Sequence, residues 1–462
     1  MTHTAAGSVP TAGAGDRPAP AGPPARSVPG SRPPVRVLLV TGGTHGDLHP
    51  FLALAQRFSE RGHAATVLGP AALGEAARRS GVDWCGLGDI AEYHAVLEDP
   101  ALWHPRKGFR VLWRGVERSW SALEQALQAT VGGDGPCLVL AHPLALPVVA
   151  AAAERDARLR PVAVWLAPSN LRTVHDLPRF GPLPVPRATP AGLRHWAWRQ
   201  VDAHLLDPVA LPGLNAHRAA AGLAPVTGFV DHVQTAAPLS LALFPAWFAA
   251  TQPDWPQPLL QVGFPLYDPP ADRPWPDAVE SLLTHGPAPI VVTAGTGRRF
   301  AAPVFAAASE AAQRLGRPLV ALTAYRDQLP PVLPPGMAWA PSARLDRLLP
   351  RAATLVHHGG IGTTAQALRA GVAQLVVPSA YDQFDNAARV ERLGVGLAWW
   401  PWRRLEAGPM ARTLGRLLTG GCPARAAERA KSTDWPEQDA WDRALDRVVA
   451  SADDPSPTGG RR

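Results

Sequence analysis

The stretch TLVHHGGIGTTAQALRAGVAQLVVPSAYDQFDN, from Thr354 to Asn386, limits what this chain can fold into more than any other. Its pattern predicts one β-α-β unit: an apolar strand Thr354–Val356, a turn His357-His358-Gly359-Gly360-Ile361-Gly362, a helix opening at Thr363-Thr364, and a second strand Gln374–Val377. Gly371 falls where that helix should stop. Three glycines at a strand-to-helix turn let the backbone approach a ligand closely, and the helix start offers unpaired N–H groups and a partial positive charge. That is an anion site. Capping alone needs neither two adjacent histidines nor three glycines.

The second half of the stretch narrows the anion. Asp382-Gln383 follows the next strand, and in a parallel sheet both motifs emerge at carboxyl ends of nearby strands, where open α/β folds bind ligands. A carboxylate and an amide beside a diphosphate site would repel phosphate but suit sugar hydroxyls, which both donate and accept. The combination points to a nucleotide-sugar.

HHGGIGTTAQAL, then AGV, QLVVP and DQFDNAARV, resembles the donor-binding signature of the UDP-glycosyltransferase superfamily. Within it the chain looks closest to the bacterial branch holding the rhamnosyltransferases of rhamnolipid synthesis and, more distantly, the sterol glucosyltransferases. The similarity runs from about Val35 to about Ala450. It implies an α/β chain of the GT-B fold, two facing Rossmann-like domains with the active site in the cleft between them. It also implies donor-binding roles. His358 with the turn and helix-start residues Gly359, Gly360, Gly362, Thr363 and Thr364 would hold the diphosphate, and Thr296, at the strand end Ala294-Gly295-Thr296-Gly297, matches a hydroxyl that touches it. Gln366 matches the place of a ribose-binding Glu, and Trp339 that of a residue against the nucleobase. Asp382 and Gln383 would hold the sugar, with Asn386 and Arg389 extending that face.

The chain's first unit begins with a buried strand VRVLLV from Val35, a turn Thr41-Gly42-Gly43-Thr44-His45-Gly46-Asp47-Leu48-His49-Pro50, an amphipathic helix with Pro50 in its first turn, ended by Gly62, and a strand Ala65–Leu68. The glycine spacing is wrong for G-x-G-x-x-G, and the second strand ends at Leu68-Gly69-Pro70 with no acid for a ribose, which excludes a dinucleotide site. Asp47 supports two readings. By the resemblance it is the base that activates the acceptor, a carboxylate taking the proton of an attacking hydroxyl; by local chemistry it caps the helix beginning near Pro50. His45 and His49 flank it, and either is a base or an orienting partner in the same turn.

Between these units Tyr93, Trp103, Phe109, Trp113 and Trp120 are scattered through helices and loops, as core or as acceptor pocket. Strands at Leu138–Leu140 and Val162–Leu166 precede a polar loop with Ser169, Asn170, His175 and Asp176, which the carboxyl-end rule turns toward the cleft. Residues 267–288, rich in proline, read as a linker between a first domain at 35–266 and a second at 289–451 whose final helix crosses back. Residues 1–34 and 452–462 read as disordered tails.

At 462 residues two domains are expected. The stretch Cys137–Ala153, the best membrane candidate, is broken by His142, Pro143 and Pro147, so a soluble protein with at most peripheral membrane contact is expected. Three scattered cysteines without ligand spacing and an N-terminus lacking a secretory apolar core suit the cytoplasm and no metal site. The net charge of +7 is spread over the chain rather than gathered in one run, which argues against nucleic acid. The expected activity is an inverting, metal-independent glycosyltransferase that needs no cofactor and moves a hexose from a UDP- or dTDP-sugar to an apolar small-molecule or lipid acceptor. Two alternatives keep the fold: a non-catalytic nucleotide-sugar-binding helper and a sugar-nucleotide epimerase.

Overall fold

The computed structural model describes residues 33–104, 107–131, 135–179, 186, 188–270, 274–400, 404–432, 435 and 438–453. Of the tails expected at 1–34 and 452–462, residues 1–32 and 454–462 lie outside the described residues, as does part of the linker at 271–273, while Ala452 is buried in the first sheet's core. Contacts divide the chain into Met1–Pro34 and Val35–Arg462, and both sheets belong to the second.

Two parallel sheets carry the structure. The first contains β1 (Arg36–Val40), β2 (Ala64–Pro70), β3 (Asp83–Leu87), β4 (Cys137–Ala141), β5 (Leu159–Trp165), β6 (Leu239–Ala242) and β7 (Leu259–Gln261), in the order β3-β2-β1-β4-β5-β6-β7. The second contains β8 (Ile290–Thr293), β9 (Leu319–Leu322), β10 (Met337–Ala340), β11 (Thr354–His357), β12 (Gln374–Val376) and β13 (Gly396–Ala398), in the order β10-β9-β8-β11-β12-β13. Strands buried on both faces need apolar side chains on both, and the runs LLV of β1 and CLVLA of β4 have them. In each sheet the order reverses once, between β1 and β4 and between β8 and β11. Such reversals open crevices at the carboxyl edge.

Helix α1 (His45–Glu60) lies on one face of the first sheet, burying Phe51, Leu52, Leu54 and Phe58 against Val37, Leu39 and Val67. Its start differs from the sequence reading. Thr44 is the N-cap and the helix opens at His45, so Pro50 stands inside it rather than in its first turn. The capping box that fixes this start is local, and it outweighs proline's preference for a first turn. On the same face sits the last described helix, α5 (Gln438–Ala450), through Trp441, Leu445, Val448 and Val449. Arg57 lies over the Trp441 ring at 4.6 Å and Arg61 pairs with Asp442 at 2.6 Å.

The other face of the first sheet shares one apolar cluster with the second half of the chain. Trp113, Trp120, Trp165 and Phe248 join Leu368, Phe384, Ala387 and Val390 in it. Trp113 and Trp120, two of the scattered aromatics, are therefore core. The stretch read as linker is not all linker: Asp277–Thr284 is a helix whose Val279 is fully buried against Val291, Val320 and Ala338 of the second sheet. Among the described residues no helix is long and apolar enough to cross a membrane.

Candidate active site

The first crevice opens between β1 and β4, and two side chains meet there. Asp47 is the third residue of α1, not its cap: its Oδ2 accepts the Thr44 N–H at 2.7 Å, the second half of the capping box. Its other oxygen, Oδ1, stands 3.9 Å from His142 Nε2. His142 follows β4 directly, its own N–H donating to the Val40 carbonyl at 2.9 Å. Its Nδ1 accepts the Leu144 N–H at 3.3 Å, so the neutral ring carries its proton on Nε2, the nitrogen facing Asp47. Burial lowers the His142 pKa, against an opposing pull from Asp47. Sequence reasoning missed this residue. The carboxyl-end rule, applied to the strand at 137–141, would have found it.

His45 lies on the same turn and also lines the cleft. Its ring meets His49 edge-on at 6.0 Å, and among the described residues no hydrogen bond joins it to Asp47. Burial, helped by the charge of Arg79, lowers its pKa. His49 tilts against Tyr267 at 4.9 Å, and burial takes it down to about 4.

The second crevice opens between β8 and β11, and the two adjacent histidines divide their work there. His357 ends β11 and is buried; its Nε2 bonds the Gln374 Oε1 at 2.9 Å and its Nδ1 accepts the Gly359 N–H at 3.2 Å. It is a structural pin. His358 enters the cleft, its ring slotted between Gly295 and Gly360: a Cβ on Gly295, where φ is +87°, would meet His358 Cε1 at 2.7 Å, and one on Gly360 would meet Nε2 at 2.5 Å. Its Nδ1 is buried without a partner among the described residues. Burial and the nearby Arg298 guanidinium take its pKa down to about 4. Arg298, from the loop after β8, also lines the cleft; Gln328 fixes that loop by donating to the Arg298 carbonyl at 2.9 Å.

Helix α3 (Ile361–Ala370) begins beside His358 with Gly360 as N-cap and no side-chain cap, and it ends at Gly371 in the left-handed region. Gly360, Gly362, Thr363 and Gln366 line the cleft, as does Thr296. Gly359 and Thr364 stand behind its wall. The Gly359 carbonyl accepts the Asn386 amide at 2.9 Å, and the Thr364 hydroxyl is turned back onto the Gly360 carbonyl at 3.0 Å. Gln366 reaches the cleft edge with its amide already engaged: Nε2 donates to the Tyr267 carbonyl at 3.1 Å, and Oε1 accepts from Arg369 at 2.5 Å.

The loop from β12 to helix α4 (Gln383–Leu393) presents Asp382 and Gln383 to the same cleft. Gln383 Oε1 accepts from Ser379 N at 2.9 Å, Ser379 Oγ at 2.9 Å and Ala380 N at 3.2 Å, which leaves its amide nitrogen as the group for a ligand. Asp382 Oδ2 accepts the Asn386 amide at 2.8 Å. Burial, and then the negative charge of Asp47 across the cleft, push the Asp382 carboxyl up to about 7.

Three expected contacts with the ligand fall elsewhere. Asn386 is fully buried and braces Asp382 from behind. Arg389 is buried in ion pairs with Asp385 at 2.7 Å and Asp176 at 2.9 Å. Trp339 donates its indole N–H to the Thr323 carbonyl at 2.8 Å and packs on the second sheet's core; it does not itself line the cleft, although Thr323 and Ala340 beside it do. In each case the polar group is already satisfied inside the protein. Of the polar loop after β5, Asn170 lines the cleft and Asp176 does not.

The cleft encloses about 2000 Å³, beyond the roughly 300–1000 Å³ of a single small-molecule pocket. Its first-sheet wall is mainly apolar, with Leu97, Leu102, Trp103, Leu112 and Val116 around Tyr93. Burial and the charge of Asp47 hold the Tyr93 hydroxyl above its ordinary pKa.

Residues 37–168 match the glycosyltransferase family 28 N-terminal domain, and residues 316–434 match the C-terminal domain of the erythromycin biosynthesis protein CIII-like family. The chain is a glycosyltransferase of the GT-B fold. It is similar to the O-mycaminosyltylonolide 6-deoxyallosyltransferase of Streptomyces fradiae, 28% identical over 417 residues that cover 86% of this chain and 92% of that one. It is 26% identical to the vancomycin aglycone glucosyltransferase of Amycolatopsis orientalis over 387 residues, 79% of this chain and 86% of that one. The structure of the spinosyn rhamnosyltransferase SpnG complexed with thymidine diphosphate overlays with a TM-score of 0.62 at 19% identity, covering 89% of this glycosyltransferase and all of that chain. The helper and epimerase readings give way to this family.

Proposed function

We propose that this glycosyltransferase moves a hexosyl group, with inversion and without a metal ion, from a dTDP- or UDP-sugar to a hydroxyl of a bulky apolar natural product. One observation carries the reading: Asp47 and Asp382, carried by opposite walls, line one cleft. One wall therefore supplies a proton acceptor and the other a sugar holder. The sugar's anomeric carbon would sit between them.

In this reading the acceptor oxygen attacks that carbon, its proton passes to the Asp47 carboxylate, and the bond from the carbon to the diphosphate oxygen breaks. The departing electron pair stays on the diphosphate. Attack from the face opposite the leaving group inverts the centre. His142 Nε2 stands 3.9 Å from the same carboxylate, a polar neighbour beyond hydrogen-bond distance. Negative charge on the leaving group is met by the free amides at the start of α3, by the His358 ring and by Arg298, groups in place before the charge develops. Asp382 and the Gln383 amide hold sugar hydroxyls. The breadth and apolar lining of the first-sheet wall favour a large acceptor, in keeping with the O-mycaminosyltylonolide and vancomycin aglycone in the names of the two relatives.

The test is a thermal-shift panel of dTDP, UDP, dTDP-glucose and UDP-glucose, followed by product analysis with polycyclic aglycones. A ligand that binds only the folded state raises its Tm. A rise with dTDP or UDP and a product of inverted anomeric configuration are expected. No shift with any nucleotide, or retention of configuration, would overturn the reading.

A further inference from the structure

Tyr381 is the sole non-glycine residue with positive φ among the described residues, at 54°. Side chains with a Cβ avoid that conformation, and they hold it only where surrounding contacts leave no choice. The contacts here come from the opposite wall. The Tyr381 hydroxyl donates to the Leu102 carbonyl at 2.7 Å, and its ring meets Trp103 edge-on at 6.1 Å. Helix α2 (Gly108–Arg118) starts against the same carbonyl; a Cβ on Gly108 would lie 2.3 Å from Leu102 O and 3.1 Å from the Tyr381 hydroxyl. Leu102 and Trp103 belong to the apolar wall, and Tyr381 immediately precedes Asp382-Gln383.

The far end of α4 is also fastened to the first half of the chain. Arg389 pairs with Asp176 at 2.9 Å and donates to the Phe248 carbonyl at 3.1 Å, and Arg392 pairs with Asp176 at 3.2 Å. With the helix body fixed, Gln383 gathering residues 379 and 380 and Asn386 bracing Asp382 from behind, the Tyr381 bond ties the turn bearing Asp382 to the opposite wall.

We propose that Tyr381 is a positioning residue, and that its bond to the Leu102 carbonyl makes the acceptor wall part of the donor-sugar site. The orientation of Asp382 and Gln383 is then set by the wall on which the acceptor lies, so the sugar is held firmly only when that wall is in place. The nucleoside diphosphate, held at α3 and His358, is indifferent to the tie. The proposal rests on the glycosyl-transfer reading above.

Tyr381→Phe tests it, because it removes one oxygen and keeps the ring. Isothermal titration is run with dTDP, UDP, dTDP-glucose and UDP-glucose on wild type and variant. Loss of one hydrogen bond predicts a drop of about three- to tenfold in affinity for the intact sugar-nucleotide, with affinity for its nucleoside diphosphate and the Tm unchanged. Equal losses for both ligands, or no loss for either, would overturn the proposal. Gly108→Ala displaces the Leu102 carbonyl from the other side. If both variants break one tie, the double variant loses no more than the worse single one; additive losses count against it. A wild-type protein that binds none of the four nucleotides would instead remove the glycosyl-transfer reading, and the positioning role with it.

Discussion

Asp47 uses its two carboxylate oxygens for different tasks, and this separates its structural demand from its chemical one. Oδ2 completes the capping box on the Thr44 N–H, while Oδ1 faces the His142 Nε2–H and the cleft. An asparagine oxygen can replace Oδ2 in the cap at a cost of about 1 kcal/mol or less, but a neutral amide cannot take a proton near neutral pH. Asp47→Asn is therefore expected to keep dTDP or UDP affinity and nearly keep the Tm while transfer falls roughly a hundredfold or more. His45→Gln, measured beside it, should stay within a few-fold of wild type, since His45 packs on His49 rather than on Asp47. The reverse pattern would make His45 the base. Asp382 offers a second test, by pH. Its folded-state pKa of about 7 exceeds the ordinary 3.8, so between those values the folded protein binds more protons than the unfolded chain and stability falls as pH rises. Above about 7 the cost of a buried charge is complete. Asp382→Asn, which cannot ionise, should raise the ligand-free Tm at pH 8 and change it little at pH 4. An equal change at both pH values would mean that the carboxyl is not held in its neutral form.

Helix α4 shows which elements can be read from a sequence and which cannot. Its sugar-facing start was legible because Asp382 and Gln383 follow a strand directly, and strand ends in parallel sheets face ligands. The same locality made the glycine turn before α3 readable. Its far end was not legible: Arg389 meets Asp176 across 213 positions (389 − 176) and Phe248 across 141, and neither partner lies near it in sequence. The place of His142 at a strand end was readable by the carboxyl-end rule, but its meeting with Asp47 was not, since only the adjacency of β1 and β4 brings the two together. Trp339, placed by analogy, has its indole N–H bonded to the Thr323 carbonyl, a contact between neighbouring strands that the sequence pattern did not show. The buried end of α4 has an energetic consequence. Arg389 is 2% exposed and Asp385 1%, and removing one member of a buried pair leaves the other charge stranded, typically at a cost of about 3–5 kcal/mol. Arg389→Met should lower the stability in urea by an amount of that order, and Arg389→Met with Asp385→Leu should recover part of it. A loss below about 1 kcal/mol for the single variant would place the pair in the class of weak surface bridges.

At the scale of the whole molecule, the two sheets meet where the chemistry is proposed, and one residue measures how closely. The chain passes from the first sheet to the second and returns through α5, whose Trp441 and Leu445 sit in the first sheet's core. The halves are thus tied at the back, and the carboxyl edges are left to form the cleft. At its mouth the loop after β8 comes down on the turn that carries Asp47. A Cβ on Gly297 would lie 2.8 Å from Thr44 Cγ2 and 3.8 Å from Leu97 Cδ2, so the approach depends on glycine. Thr44 is the N-cap of α1, and rotating it away to make room would disturb the cap that orients Asp47. A bulky residue at 297 must therefore either part the walls or tilt the base. Donor groups on the second sheet stay together in both cases. Gly297→Val is accordingly expected to leave nucleoside-diphosphate affinity within a few-fold of wild type while transfer falls by a factor on the order of a hundred, the scale of an ångström of misplacement between reacting groups. Titration calorimetry and initial rates on the same preparation would separate the two effects. Proportionate losses in both would mean that Gly297 serves the diphosphate directly, and unchanged rates would mean that the walls need not approach this closely for transfer.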